Sequence, residues 1–137
     1  MTPRGQRRVS VPRSKSGDYA RVADNFYHGA ELAKEFEYWN AAGLLVVHSA
    51  IAYTDAVTIH VGGLKSQGED HMAAVDLIRE VVELDESGRR AAGHLARIIE
   101  QKNSVAYNGD VFSRQDVDAL WKHLERYRPW ANLILRR

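Results

Sequence analysis

The stretch NAAGLLVVHSAIAYTDAVTIHVGG, residues 40–63, decides the fold. Its apolar residues run almost all the way round a helical period, the pattern of a helix buried on every side. Asn40 opens it, the spacing predicts a helix over residues 41–61, and Gly62 and Gly63 are suited to close it through a left-handed C-cap. Such a helix needs partners all around it, so the flanking sequence must supply amphipathic elements. The longest uninterrupted aliphatic run, residues 44–47, is far short of the roughly 20 apolar residues that cross a bilayer. A soluble, cytoplasmic protein without a membrane partner is expected.

Working outward, Tyr19, Val22, Ala23, Phe26, Tyr27, Ala30, Ala33 and Phe36 recur at helical spacing behind Ser16 or Asp18 as N-cap. On the other side, Lys65, Ser66 and Gly68 read as a polar loop. Met72, Val75, Ile78 and Val82 mark a third helix. Ala91, Leu95, Ile98, Lys102 and Val105 mark a fourth that runs to Asn108 and Gly109, with Lys102 standing where an apolar residue is expected. Ser113 with Asp116 forms a capping box before Val117, Leu120, Trp121, Leu124 and Tyr127, and Pro129 is expected to break or restart that helix. No segment alternates with period two between hairpin turns, so no strand is expected. The fold class is all-α, an antiparallel bundle of four to five helices.

A chain of 137 residues, 45% hydrophobic and with three prolines, fits one core and one domain. Residues 17–137 are assigned to that domain and residues 1–16 to a basic, flexible arm. The formal net charge of +1 conceals an asymmetry, because Arg4, Arg7, Arg8, Arg13 and Lys15 all precede the first acid, Asp18. Such an arm grips phosphates by counterion release or is a solvated tail; without interleaved aromatics the tail has the stronger case. Its Arg-rich, acid-free opening also fits the composition of a transit peptide, a less common reading.

Several chemistries lack their signatures. With no cysteine there is no disulfide framework, thiolate metal site or cysteine nucleophile. His28, His48, His60, His71, His94 and His123 include no pair four apart and no metalloprotease motif, so no metal is expected and each reads first as a structural or surface residue. Gly62, Gly63 and Gly68 follow a helix rather than a strand and lack the Lys-Ser/Thr ending of a phosphate loop. There is no Gly-x-Ser-x-Gly elbow, and Glu31, Glu35 and Glu37 suit the exposed face of a helix. No cofactor is expected.

One motif carries chemistry. Lys102-Asn103-Ser104-Val105-Ala106-Tyr107, ahead of Asn108-Gly109, resembles the signature of HEPN domains, which are associated with RNA cleavage and prokaryotic conflict systems. The family's motif is an Arg, often followed by Asn, with His some four to six residues on. Lys102 holds the Arg position, Asn103 matches, and Tyr107 stands in place of His. The order of the surroundings agrees over residues 18–130: a long first helix, a second with Ser49, Ala52, Tyr53 and Asp55, a glycine-containing loop, and His71 before the third. The resemblance implies a homodimer whose two motifs meet in a cleft, with Lys102, Asn103 and Tyr107 as candidate catalytic residues and His48, Ser49, Tyr53 and Asp55 as cleft-lining residues. By spacing, His48, Ala52 and Asp55 share one face, while Ser49, Tyr53 and His60 form a neighbouring stripe. An Asp55–Lys102 ion pair of purely structural role explains that carboxylate equally simply.

The departures weigh against catalysis. With an ordinary pKa of about 10, a tyrosine is a poor general base at neutral pH, and lysine contacts phosphate without arginine's bidentate fork. On one continuous helix Lys102 and Tyr107 would also lie about 140° apart. The reading that follows is a HEPN-like homodimer that binds RNA, a nucleotide or a partner protein through a degenerate cleft. The alternatives are a metal-independent endoribonuclease toxin and a purely structural interaction module. HEPN proteins are often paired with a small nucleotidyltransferase, so an antitoxin of that kind is a candidate partner.

Overall fold

The computed structural model of this protein describes residues 7–68, 70–106 and 108–137. Its elements, in chain order, are β1 (Arg7–Ser10), α1 (Ser16–Glu35), α2 (Trp39–Gly62), β2 (Leu64–Gln67), α3 (Met72–Val81), α4 (Glu86–Glu100), α5 (Lys102–Ala106) and α6 (Arg114–Leu135). The protein is mostly helical, and α2 forms its axis. Val46, Val47, Ala50, Tyr53, Val57 and Ile59 of α2 are wholly buried, covered by α1 and α6 on one side and by α3, α4 and α5 on the other. By length and composition α2 is also the one described helix that would span a bilayer, but most of its apolar surface is enclosed by these neighbours. Gly63 closes it at φ 64°, a conformation that glycine adopts without a Cβ clash.

Small residues set the closest packing. Ala23, Ala30 and Ala33 of α1 lie against α2 with almost no exposed surface. Gly43 gives its space to α5 and the following loop: a Cβ there would stand 3.0 Å from Val105 and 3.1 Å from Phe112. The Asn40 side chain ties the same loop to the start of α2, donating to the Asp110 carbonyl at 2.8 Å and accepting from the Phe112 amide at 2.9 Å. The Ser113–Asp116 capping box forms as the spacing implies.

Four expectations are corrected. The polar loop after α2 contains β2, which pairs antiparallel with β1 in the register Arg7↔Gln67 to Ser10↔Leu64. Strands of four residues are too short to display alternation, and their partner lies more than fifty residues away. The segment assigned to a flexible arm therefore enters the fold from Arg7, continues through a 3-10 turn at Arg13–Lys15, and leads directly into α1. The fourth helix stops at Gln101, whose amide turns back to the Ile98 carbonyl, and Lys102–Ala106 forms a separate short helix. Finally, α6 runs through Pro129. Proline removes the bond to the Glu125 carbonyl, but both residues are exposed and that carbonyl can be satisfied by solvent.

Candidate functional site

Two polar centres flank α2, and they differ in one respect: one is closed by its own partners and the other is open. Ile51 and Asp55, four apart on α2, face β2 and α3, where a cleft of about 270 Å³ lies between the three elements, while the His48 ring stands 5.8 Å from that of Phe26 in α1. Ile51 and Ala74 form its apolar walls, Lys65, Ser66 and Gly68 come from β2 and its end, and His71 stands at the start of α3. Asp55 is at the floor, 8% exposed, and its carboxylate has no hydrogen bond to any described residue. Among the described residues no wholly enclosed side-chain N or O atom lacks a partner, so the Asp55 oxygens must reach the cleft space. Burial pushes this carboxyl up to about 7, against a smaller opposing pull from Lys65.

The cleft sits in a cationic field. His71 is held below the usual imidazole range, first by burial and then by the charges of Lys102, His48 and Lys65, with Asp70 opposing. His48 is lowered by burial and by Lys102. Lys102, half-buried at the start of α5, thus lies within electrostatic reach of both histidines. The break before α5 places it there, and the contact of Gly43 with Val105 holds α5 against α2. Asp55 senses Lys65 rather than Lys102, so the expected Asp55–Lys102 ion pair is replaced by a looser relation to β2. Asn103 is exposed, and its carbonyl accepts from the Asn108 amide at 3.0 Å. Tyr107 and Arg4 lie outside the described residues.

Ser49 and Tyr53 belong to the opposite side of α2 and do not join this cleft. The Ser49 hydroxyl donates to the Ala23 carbonyl of α1 at 2.9 Å. The Tyr53 hydroxyl donates to the Asp24 carboxylate, and Arg128 of α6 donates to that hydroxyl at 2.6 Å and to Asp24 at 3.2 Å. Arg128 also lies over the Tyr27 ring, 4.0 Å from its centroid. Burial, followed by the bond to Asp24, raises the Tyr53 phenol far above its ordinary range, so it stays protonated and donates. Nearby, the Thr54 and Tyr127 hydroxyls meet at 2.6 Å. This cluster ties α1, α2 and α6 together, and its buried hydroxyls are each engaged by a partner within it.

The basic residues before α1 are turned largely toward the protein itself. Arg8 makes a two-pronged bond to Glu80 of α3, Arg13 donates to the Val61 carbonyl at 3.1 Å, and Lys15 stands 4.0 Å from Asp18. Arg7 is exposed on β1 opposite Gln67. Lys65 of the cleft, and Asp24 and Arg128 of the closed cluster, had no local signal in the sequence, since each acquires its role from a partner on another element. Among the described residues, no group of three or more His, Asp or Glu side chains is arranged to hold a metal ion.

No protein-family model, no curated protein and no solved structure matches this chain.

Proposed function

We propose that this protein is a HEPN-like module, homodimeric as that resemblance implies, which binds RNA or a nucleotide in the cleft between α2, β2 and α3. The observation that carries the reading is the buried Asp55 carboxylate, without a hydrogen bond to any described residue, in a cleft lined also by Lys65 and by His71, which feels the charge of Lys102. A buried carboxyl without a hydrogen bond lowers stability, and such local violations concentrate where a ligand supplies the missing partner. The charge of Lys65 in the cleft lining favours an anionic group there. A ligand with hydrogen-bond donors at one end and phosphate at the other meets both conditions.

The test is binding of a labelled mixed-sequence RNA, by anisotropy, to wild type, Lys65→Ala and Lys102→Ala. Each substitution is expected to weaken binding and flatten its salt dependence, because each removes a phosphate counter-charge. Wild-type binding that is absent, or indifferent to both substitutions, would remove the cleft from consideration.

A second reading, a metal-independent endoribonuclease, is favoured by the electrostatic influence of Lys102 on both His48 and His71. A histidine need not occupy position 107 if α2 and α3 supply one, and imidazoles held below their usual range are neutral and able to accept a proton at pH 7. Cleavage of the same RNA in chelator, lost in His71→Ala, would select this reading over binding alone.

A further inference from the structure

We propose that the Asp55 cleft is selective for guanine, presented either by a free nucleotide or by an unpaired base in RNA. The inference rests on the nucleotide-binding reading and names what Asp55 recognises within it.

The cleft volume of about 270 Å³ equals roughly nine water volumes, the scale of one nucleobase. Ile51 and Ala74 line the cleft with apolar surface for the faces of a flat ring, and Lys65 lines the same cleft with a charge that would favour an attached phosphate. Specificity then depends on what the floor can bond. Asp55 presents two acceptor oxygens and has no hydrogen-bond donor of its own among the described residues. Guanine carries two adjacent donors, N1–H and the N2 amino group, spaced to meet both oxygens of a carboxylate. Adenine and cytosine each place a ring acceptor beside the amino donor, and uracil has one N–H between two carbonyls. Each of those edges brings an acceptor against an Asp55 oxygen, and burial makes that repulsion costly. The charged carboxylate is the form that accepts both bonds; burial pushes the carboxyl up to about 7 against the smaller pull of Lys65, so the guanine preference should strengthen as pH rises through that value.

The full-length protein would be titrated calorimetrically with the 5′-monophosphates of guanosine, inosine, adenosine, cytidine and uridine. In parallel, short labelled RNAs with and without one guanine would be followed by anisotropy. Guanosine monophosphate is expected to bind about ten- to a hundredfold more tightly than the adenosine, cytidine and uridine forms, the range for hydrogen bonds to a charged group. Inosine monophosphate, which lacks the N2 amino group, is expected to fall about tenfold below guanosine monophosphate. In Asp55→Asn the guanosine preference should vanish and xanthosine monophosphate should gain, because the amide then donates to the C2 carbonyl and accepts from N1–H. A preference confined to the RNA series supports the proposal and identifies RNA as the source of the base.

Equal affinity for all bases overturns guanine selectivity and leaves the nucleotide-binding reading standing. A preference for adenosine or cytidine, the partners of a protonated carboxyl, overturns it too. An unaltered guanosine preference in Asp55→Asn removes Asp55 from the role. Wild-type protein that binds neither nucleotides nor RNA overturns both readings. The inosine comparison uses unmodified protein, so the test survives a variant that fails to fold.

Discussion

The two sides of α2 each bury a tyrosine or a carboxyl, yet they solve the problem of a buried polar group in opposite ways. Toward α1 and α6, Tyr53, Asp24 and Arg128 satisfy one another, with the guanidinium also covering Tyr27. Toward β2 and α3, Asp55 is buried, lines the cleft and has no hydrogen bond to a described residue. A complete network rigidifies and specifies the packing, whereas an incomplete one leaves binding capacity unspent. The difference teaches where to look for function: the closed cluster holds three helices in register, and the open one is available to a ligand.

The contrast can be broken most forcefully at Tyr53. Tyr53→Ala deletes a fully buried ring along with its hydroxyl and should lower unfolding free energy by about 3–5 kcal/mol, the usual cost for a large aromatic. Chemical denaturation measures this directly, and a loss under about 1 kcal/mol would mean that α1, α2 and α6 do not rely on this cluster.

Substituting Asp55 should act in the other direction, with a pH dependence. In the folded protein its proton is retained up to about pH 7, whereas the unfolded chain releases it near the ordinary aspartate value of 3.8. Between those values the unfolded state binds fewer protons, so the contribution of Asp55 to stability declines as pH rises and levels off above about 7. The shift corresponds to at most about 4 kcal/mol. Asp55→Asn should therefore stabilise the protein at pH 8 by a part of that amount, since the amide has unmet bonds of its own, and should change little at pH 4. Denaturation at the two pH values checks the sign. A variant less stable at pH 8 would show that Asp55 is held by bonds and that the cleft is as closed as the opposite side.

Arg128→Met sharpens the comparison at smaller scale. It removes two charge-assisted bonds and the contact over Tyr27 but leaves Tyr53 bonded to Asp24, for an expected loss of about 1.5–3 kcal/mol. RNA or nucleotide binding should be unaffected, because Arg128 lies on the far side of α2. The smallest effect is expected at Arg8→Ala, which removes an exposed ion pair with Glu80 between β1 and α3. Its effect on the denaturation midpoint should be slight and should fade as salt is added. A large effect that persists in high salt would show that the Arg8–Glu80 contact is an anchor between β1 and α3 rather than a screened surface pair.

How much of this was legible beforehand depends on the range of the interaction. The axial helix, its Gly63 terminus and the Ser113 capping box are local patterns, and all three appear in the structure. The strands, the break at Gln101 and the uninterrupted passage of α6 through Pro129 were not legible, since strand pairing and solvent exposure are decided by residues distant in sequence. Spacing separated Asp55 from Ser49 and Tyr53, as the structure does, but grouped Asp55 with His48, whose ring lies against Phe26 of α1. It could not say which stripe met a cleft, because that depends on which neighbour covers each face.

By itself, then, the sequence determined a mostly helical chain organised around residues 40–63, because helical periodicity and capping act within a few residues. Only the tertiary structure decided that Tyr53 is sealed by Asp24 and Arg128 while Asp55 opens toward Lys65 and His71. Both are polar side chains on the same helix. They differ in whether another element brings a partner within hydrogen-bonding distance, and that distance is set by the packing of the whole fold.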